Sequence, residues 1–188
     1  MILTYGDLLT ESKTIPLSKR NFYENAKFNK NLEYDVFISH SYLDKDLINA
    51  LYYKFEQCGY TVYIDWKDEK LKDRNKITKD VANKLKENMN NSKGLLFVAT
   101  DNSSESKWCP WELGYVDGLK NRTAILPILE KKTSEYKGQE YLGIYPYITY
   151  AKVKDKEKFD FWVNDPENSK KYSTLKQWLK SGELNLHQ

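Results

Sequence analysis

Two cysteines and two histidines, Cys58, Cys109, His40 and His187, are all the thiols and imidazoles that this chain of 188 residues offers. So few make neither a disulfide framework nor a metal cage, and neither a metal nor a resident cofactor is expected. Glycine is sparse, with 8 residues, and none falls into the spaced arrays that cradle phosphates in Rossmann or P-loop proteins. No apolar run approaches the length of a membrane span, and the amino end lacks the basic-then-apolar pattern of a secretory signal. A cytoplasmic protein with no membrane partner is the expectation. Charge of one sign is missing too: the net charge is +3 with 30% charged residues finely interspersed, which argues against a nucleic-acid groove.

Aromatic residues are abundant instead, with 15 Tyr and 5 Trp, a surplus that suggests a stacking site or an interface. The length suits one domain with a sizeable core. Residues 1–33 read as a polar amino-terminal arm, partly helical. Buried strands are expected at 34–39, 61–64, 94–100, 123–129 and 147–150, because each is a short apolar run bounded by polar or turn residues. Between the first two, Leu47, Leu51 and Phe55 recur at helical spacing, flanked by Ile48 and Tyr52, and Gly59 ends that helix. Asp44 or Ser41 can cap it. Thr78 caps a helix bearing Val81, Leu85 and Met89. The segment 151–188 reads as a linker-like stretch through Asp165-Pro166, then a final helix with Tyr172, Leu175, Trp178 and Leu179 on its packed face. Strands alternating with helices imply an α/β, flavodoxin-like three-layer sandwich with a five-stranded parallel sheet.

In such sheets ligands bind outside the carboxyl ends of the strands. Those ends gather Ser39, His40 and Ser41 after the first strand, and Asp65 and Trp66 after the second, with Arg74 further along a long charged loop. After the third come Asp101, Asn102 and Ser103, then Trp108, Cys109 and Glu112. Glu112 has two readings. If Pro110 opens the helix, Glu112 lies near its third position, where a glutamate caps backbone amides. The same exposed donors would keep it ionised and able to offset positive charge developing on a sugar. His40 alone reads as a structural hydrogen-bonding residue. No Ser–His–acid or Cys–His arrangement is legible, so Cys109 is a weak nucleophile candidate. Asp65 and Asp101 lack metal-ligand spacing. Trp66, Trp108 and Trp111 are core or rim residues, or a stacking wall for a planar base. Arg74 is part of a solvated face or a diphosphate contact.

Three stretches in this order resemble a TIR domain: Tyr34-Asp35-Val36-Phe37-Ile38-Ser39-His40-Ser41, the loop from Asp65-Trp66 to Arg74, and Ser106-Lys107-Trp108-Cys109-Pro110-Trp111-Glu112-Leu113. The form Trp-Glu-Leu-Gly-Tyr with Asp117-Gly118 is similar to stand-alone bacterial members of the Thoeris-like, signal-producing kind. The resemblance covers about residues 34–150. It implies an enzyme that cleaves the nicotinamide–ribose bond of NAD+, with Glu112 catalytic. Ser39, His40, Ser41, Asp65, Trp66, Arg74, Ser103, Trp108 and Cys109 would form the substrate-binding set. The products implied are nicotinamide and ADP-ribose, a cyclic isomer or a conjugate. The implied setting is anti-phage defence, with self-association through TIR–TIR contacts and a separate effector protein activated by the product.

Two other readings compete. A non-catalytic TIR module acting through self-association predicts that Glu112 is dispensable while the loop 67–76 is not. A phospho-receiver on the same architecture needs an acidic pair after the first strand, where this chain has His40-Ser41.

Overall fold

The computed structural model describes residues 1–16, 19, 32–65, 78–133, 136–138, 140–154 and 156–187. From the amino end, a short strand β1 (Leu3–Thr4) leads into α1 (Tyr5–Thr14). Then follow β2 (Tyr34–Ser39), α2 (Lys45–Cys58), β3 (Val62–Tyr63), α3 (Lys79–Asn90), β4 (Ser92–Ala99), α4 (Trp108–Lys120), β5 (Thr123–Leu129) and β6 (Tyr147–Lys152). The chain ends with β7 (Phe159–Asn164), β8 (Lys171–Thr174), α5 (Leu175–Ser181) and β9 (Asn185–Leu186).

All five expected strands are present, and they lie side by side and parallel in the order β3-β2-β4-β5-β6. Their sequences explain the layering. Side chains alternate across a strand, and here both sets are apolar. Val36 and Ile38 of β2, Leu96 and Val98 of β4, and Ala124 and Leu126 of β5 enter one core with α1, α2 and α5. Phe37, Leu95, Phe97 and Ile125 enter the other, beneath α3 and α4. The helices carry the expected faces: Leu47, Ile48, Leu51 and Phe55 of α2 are buried, and Gly59 closes α2 at φ 83°. The Thr78 side chain accepts from the Val81 amide at the start of α3.

The sheet continues past β6 through antiparallel β7, β8 and β9, so the expected linker is a strand. Phe161 and Val163 of β7 are fully buried, and Phe161 stacks on Phe55 with ring centroids 4.0 Å apart. Asp165-Pro166 marks a hairpin turn, in which Asp165 Oδ1 accepts from the amides of Glu167 and Asn168. Tyr172 lies on β8; the helix begins after it, where Thr174 and Gln177 form a reciprocal capping box. Gly94 is where α5 crosses β4: a Cβ there would stand 2.8 Å from Leu179 Cδ2 and 3.0 Å from the Arg122 carbonyl.

The amino end is also more ordered than an arm. β5 and β6 pair in register only at Ile125 and Tyr147, and β1 fills the space beyond. Leu3 and Thr4 pair with Ile128 and Leu129, while Met1 exchanges backbone hydrogen bonds with Tyr150. A Thr4–Asp7 capping box starts α1, which buries Leu8 and is tied to α2 by a Lys54–Glu11 ion pair. No helix among the described residues is long and apolar enough to cross a membrane.

Candidate functional site

Ser39 is the last residue of β2. Strand alternation turns it to the same side as Phe37, towards α4. Its hydroxyl donates to Glu112 Oε2 at 2.6 Å, and both residues have 0% exposure. This is a charge-assisted hydrogen bond, the stronger kind, when Glu112 is ionised.

Glu112 sits deeper in α4 than Pro110 suggests. The helix begins at Trp108, so Pro110 is its third residue and Glu112 its fifth. The first amides of a helix have no partner within it, so proline is tolerated anywhere in the first turn. The Ser106 hydroxyl accepts from the Cys109 amide and does the capping. The expected first-turn capping role for Glu112 is therefore corrected: its carboxylate reaches across to β2.

His40 and Ser41 follow. His40 is 1% exposed, and its Nδ1 lies 3.0 Å from the Ile38 carbonyl. A carbonyl only accepts, so Nδ1 carries the proton. Nε2 then faces Asp65 Oδ1 across 3.6 Å, an ion pair whenever the ring is protonated. Asp65, at the end of β3, is likewise 1% exposed. The structure thus brings Ser39 to Glu112 and His40 to Asp65. Ser41 begins a short 3-10 turn, where its hydroxyl accepts from the Leu43 amide.

The remaining expected site residues divide. Trp108 is half-buried and meets Trp111 edge-to-face with centroids 5.5 Å apart. Trp111 is occupied elsewhere, stacked on Tyr115 along the α3–α4 seam with Lys86 Nζ 5.9 Å from its ring. Both indoles pack against the core cluster beneath α4. Cys109 is fully buried in the core beneath α4, as Ser39 and Glu112 are. Ser103 closes its own 3-10 turn, donating to the Thr100 carbonyl at 2.7 Å. It lines a cavity of about 570 Å³ at the carboxyl ends of β4 and β5, together with Asp101, Pro110, Tyr136 and Tyr141, and Glu112 is not among the lining residues. Trp66 and Arg74, with the rest of the loop 66–77, lie outside the described residues. Among the described residues no cluster of three or more His, Cys, Asp or Glu side chains is placed to hold a metal.

One buried carboxylate was not anticipated beyond a capping role. Asp44 is 2% exposed and accepts from Thr100 Oγ1 and Asn102 Nδ2, each at 2.6 Å. It joins the loop after β2 to the loop after β4. The signal in the sequence was an acidic residue at a helix start facing a threonine and an asparagine at the neighbouring strand end.

A family model described as the TIR domain matches residues 36–173. The chain is 39% identical, over 95% of its length and 98% of the other, to a protein of Bacillus cereus (strain MSX-D12) named a probable 3′ cyclic ADP-D-ribose synthase, ThsB′. It is 34% identical to a putative cyclic ADP-D-ribose synthase, TIR2, of Cytobacillus dafuensis, over 58% of this chain and 30% of that protein. Among solved structures, the TIR domain of the Toll-related receptor TRR-2 from Hydra magnipapillata aligns with 55% of this chain and 75% of its own at 23% identity, with a TM-score of 0.39. Matched over most of its length by the family model, and along nearly all of it by a curated relative, this chain belongs to the TIR domain family.

Proposed function

We propose that this chain is an NAD+-processing TIR enzyme that breaks the nicotinamide–ribose bond and closes the remaining ADP-ribose into a cyclic nucleotide. The observation that carries the reading is the buried Ser39–Glu112 pair, set in a chain so similar along its length to a probable 3′ cyclic ADP-D-ribose synthase. The pyridinium leaving group departs neutral with the bonding electron pair, so no general acid is needed. This differs from the paired carboxylates of most glycosidases. Positive charge passes to the ribose, and Glu112 offsets it from a position that the Ser39 hydroxyl steadies.

The product follows the relative named a probable 3′ cyclic ADP-D-ribose synthase: a hydroxyl of the adenosine ribose, in place of water, takes the ribosyl carbon, and the new C–O bond forms as that hydroxyl loses its proton. Trp108 offers a face on which a planar ring can stack. His40, held by Ile38 and Asp65, fixes the backbone that follows Ser39. A cyclic nucleotide diffuses, so a separate effector protein would read it, in the anti-phage setting that the resemblance implies.

The test is incubation of the purified protein, and of Glu112→Gln, with NAD+, followed by separation of products by mass. Wild type should release nicotinamide and a product lighter than ADP-ribose by one water. Glu112→Gln should be slower by about a hundredfold or more. Equal release by both proteins overturns the role of Glu112. ADP-ribose alone would overturn cyclisation but not cleavage. Release by neither protein would favour an interaction module.

A further inference from the structure

We propose that Asp44 is a positioning residue of this site, a buried tie between the loop that follows Ser39 and the loop that leads to the Glu112 helix. The proposal rests on the NAD+-processing reading above and adds a residue to it.

Ser39 and Glu112 come from segments that leave the sheet on adjacent strands. Ser39 stands opposite Phe97 in the β2–β4 ladder; beyond that point the two chains are no longer paired with each other, while β4 stays paired with β5 to Ala99. After β2 the chain passes through Ser41 and a 3-10 turn (Tyr42–Asp44) into α2. After β4 it passes through a second 3-10 turn (Asp101–Glu105) into α4 and Glu112. Asp44 bridges these paths, with Thr100 Oγ1 on one oxygen and Asn102 Nδ2 on the other, both at 2.6 Å.

Two features separate this from an ordinary helix cap. Asp44 occupies the N-cap position of α2, yet its side chain makes no capping hydrogen bond there. An aspartate at that position ordinarily accepts from the helix's own amides. Here both oxygens serve the neighbouring loop, at 2% exposure. The second feature is what Thr100 holds. Its carbonyl accepts from the Ser103 hydroxyl and amide, so the tie grips the residue that caps the turn leading to α4. A small slackening of these loops would move Glu112 relative to the ribose, and displacements of that kind cost rate more than ground-state binding.

Asp44→Asn keeps size but removes the charge and one of two acceptor oxygens: either its amide meets the Asn102 amide, or it turns over and the Thr100 hydroxyl must give up donating in order to accept. The expected result is a fall in kcat for nicotinamide release of about 10- to 100-fold with KM for NAD+ little changed. Adding Asn102→Asp restores a donor–acceptor pair across the loops and should recover most of the loss. Combining Asp44→Asn with Ser39→Ala should cost little more than Ser39→Ala alone, because both act through one arrangement. Hydrogen exchange over residues 100–112 should quicken in Asp44→Asn and return towards wild type in the double swap. Exchange is read without reference to activity, so an inactive wild type counts against the enzyme reading, not the tie. Unchanged exchange in Asp44→Asn would overturn the tie. Wild-type kcat in that variant, or losses that simply multiply with Ser39→Ala, would overturn the positioning role.

Discussion

The Ser39 hydroxyl donates to the Glu112 carboxylate at 2.6 Å, across the gap between the end of β2 and the second turn of α4. Sealed from solvent, that bond has no water to replace it. Ser39→Ala therefore removes the partner of a buried carboxyl oxygen, at a cost of about 1–3 kcal/mol. The melting temperature should fall by about 3–12 °C, and nicotinamide release should slow by at least about tenfold at temperatures where the variant is folded. Calorimetry and initial rates on one preparation check both. A variant with unaltered melting temperature and rate would remove Ser39 from the site.

The features legible in the sequence were those set by short-range pattern. Runs such as Tyr34–Ser39 and Thr123–Leu129 are apolar on both alternating sets because the sheet is covered on both faces, and that marks them as buried parallel strands. The rule that ligands sit at strand carboxyl ends placed Ser39, His40, Asp65 and Glu112 together, and the buried contacts among them follow. What the pattern hid was tertiary. β1 is two residues long, too short to show any period, and exists because β5 and β6 leave a backbone vacancy for it. In β7 only Phe161 and Val163 reach the core, between half-exposed neighbours, so the run reads as polar chain. Tyr172 shares helical spacing with Leu175 and Leu179, but the Thr174–Gln177 capping box was the better guide to where α5 starts. The position of Glu112 was misjudged by two residues because proline was assigned to the first helical position and occupies the third.

Acid should weaken a clamp at the amino ends of three strands. Asp35 of β2 accepts from the Thr61 amide at 2.9 Å before β3 and from Lys93 Nζ of β4 at 2.8 Å. Burial pushes its carboxyl up, but the Lys93 and Thr61 hydrogen bonds and the Lys93 charge outweigh that and hold it below the usual carboxylate range. A folded-state value below the unfolded one means stability that is complete above the unfolded value, about 4, and lost as pH falls through the folded value. Lys93 is shifted upward, chiefly by its hydrogen bond to Asp35, so its share is present below about 10.4 and lost above its folded value. Lys93 is 43% exposed, so screening keeps the whole effect near about 1 kcal/mol. Asp35→Asn should melt about 2–4 °C below wild type at pH 6. That gap should close as both are taken below the folded value of Asp35. A gap that stays constant down to strong acid would show that the carboxylate's charge is not what holds the clamp.

Residues beyond the fifth parallel strand should prove part of one cooperative unit, because Phe161 of β7 lies flat against Phe55 of α2. The rings are 4.0 Å apart at 11°, and both are at 0% exposure. Tyr60 stands edge-on to both rings, and its hydroxyl accepts from the Lys176 amide at the start of α5 while donating to Asp160. Truncating Phe161 to alanine opens a cavity between the sheet and α2 that flat, sheet-bound neighbours cannot fill by small shifts. Phe→Ala changes in such cores cost about 3–5 kcal/mol, or about 6–20 °C of melting temperature for a chain of this size. The decisive detail is the shape of the transition. If β7 to β9 are integral, Phe161→Ala should melt in a single, earlier step, with far-UV circular dichroism and near-UV aromatic signals falling together. A variant whose near-UV signal melts first, leaving a helical remainder that melts at the wild-type temperature, would mean that the carboxyl-terminal strands are an appendage to a core able to stand without them.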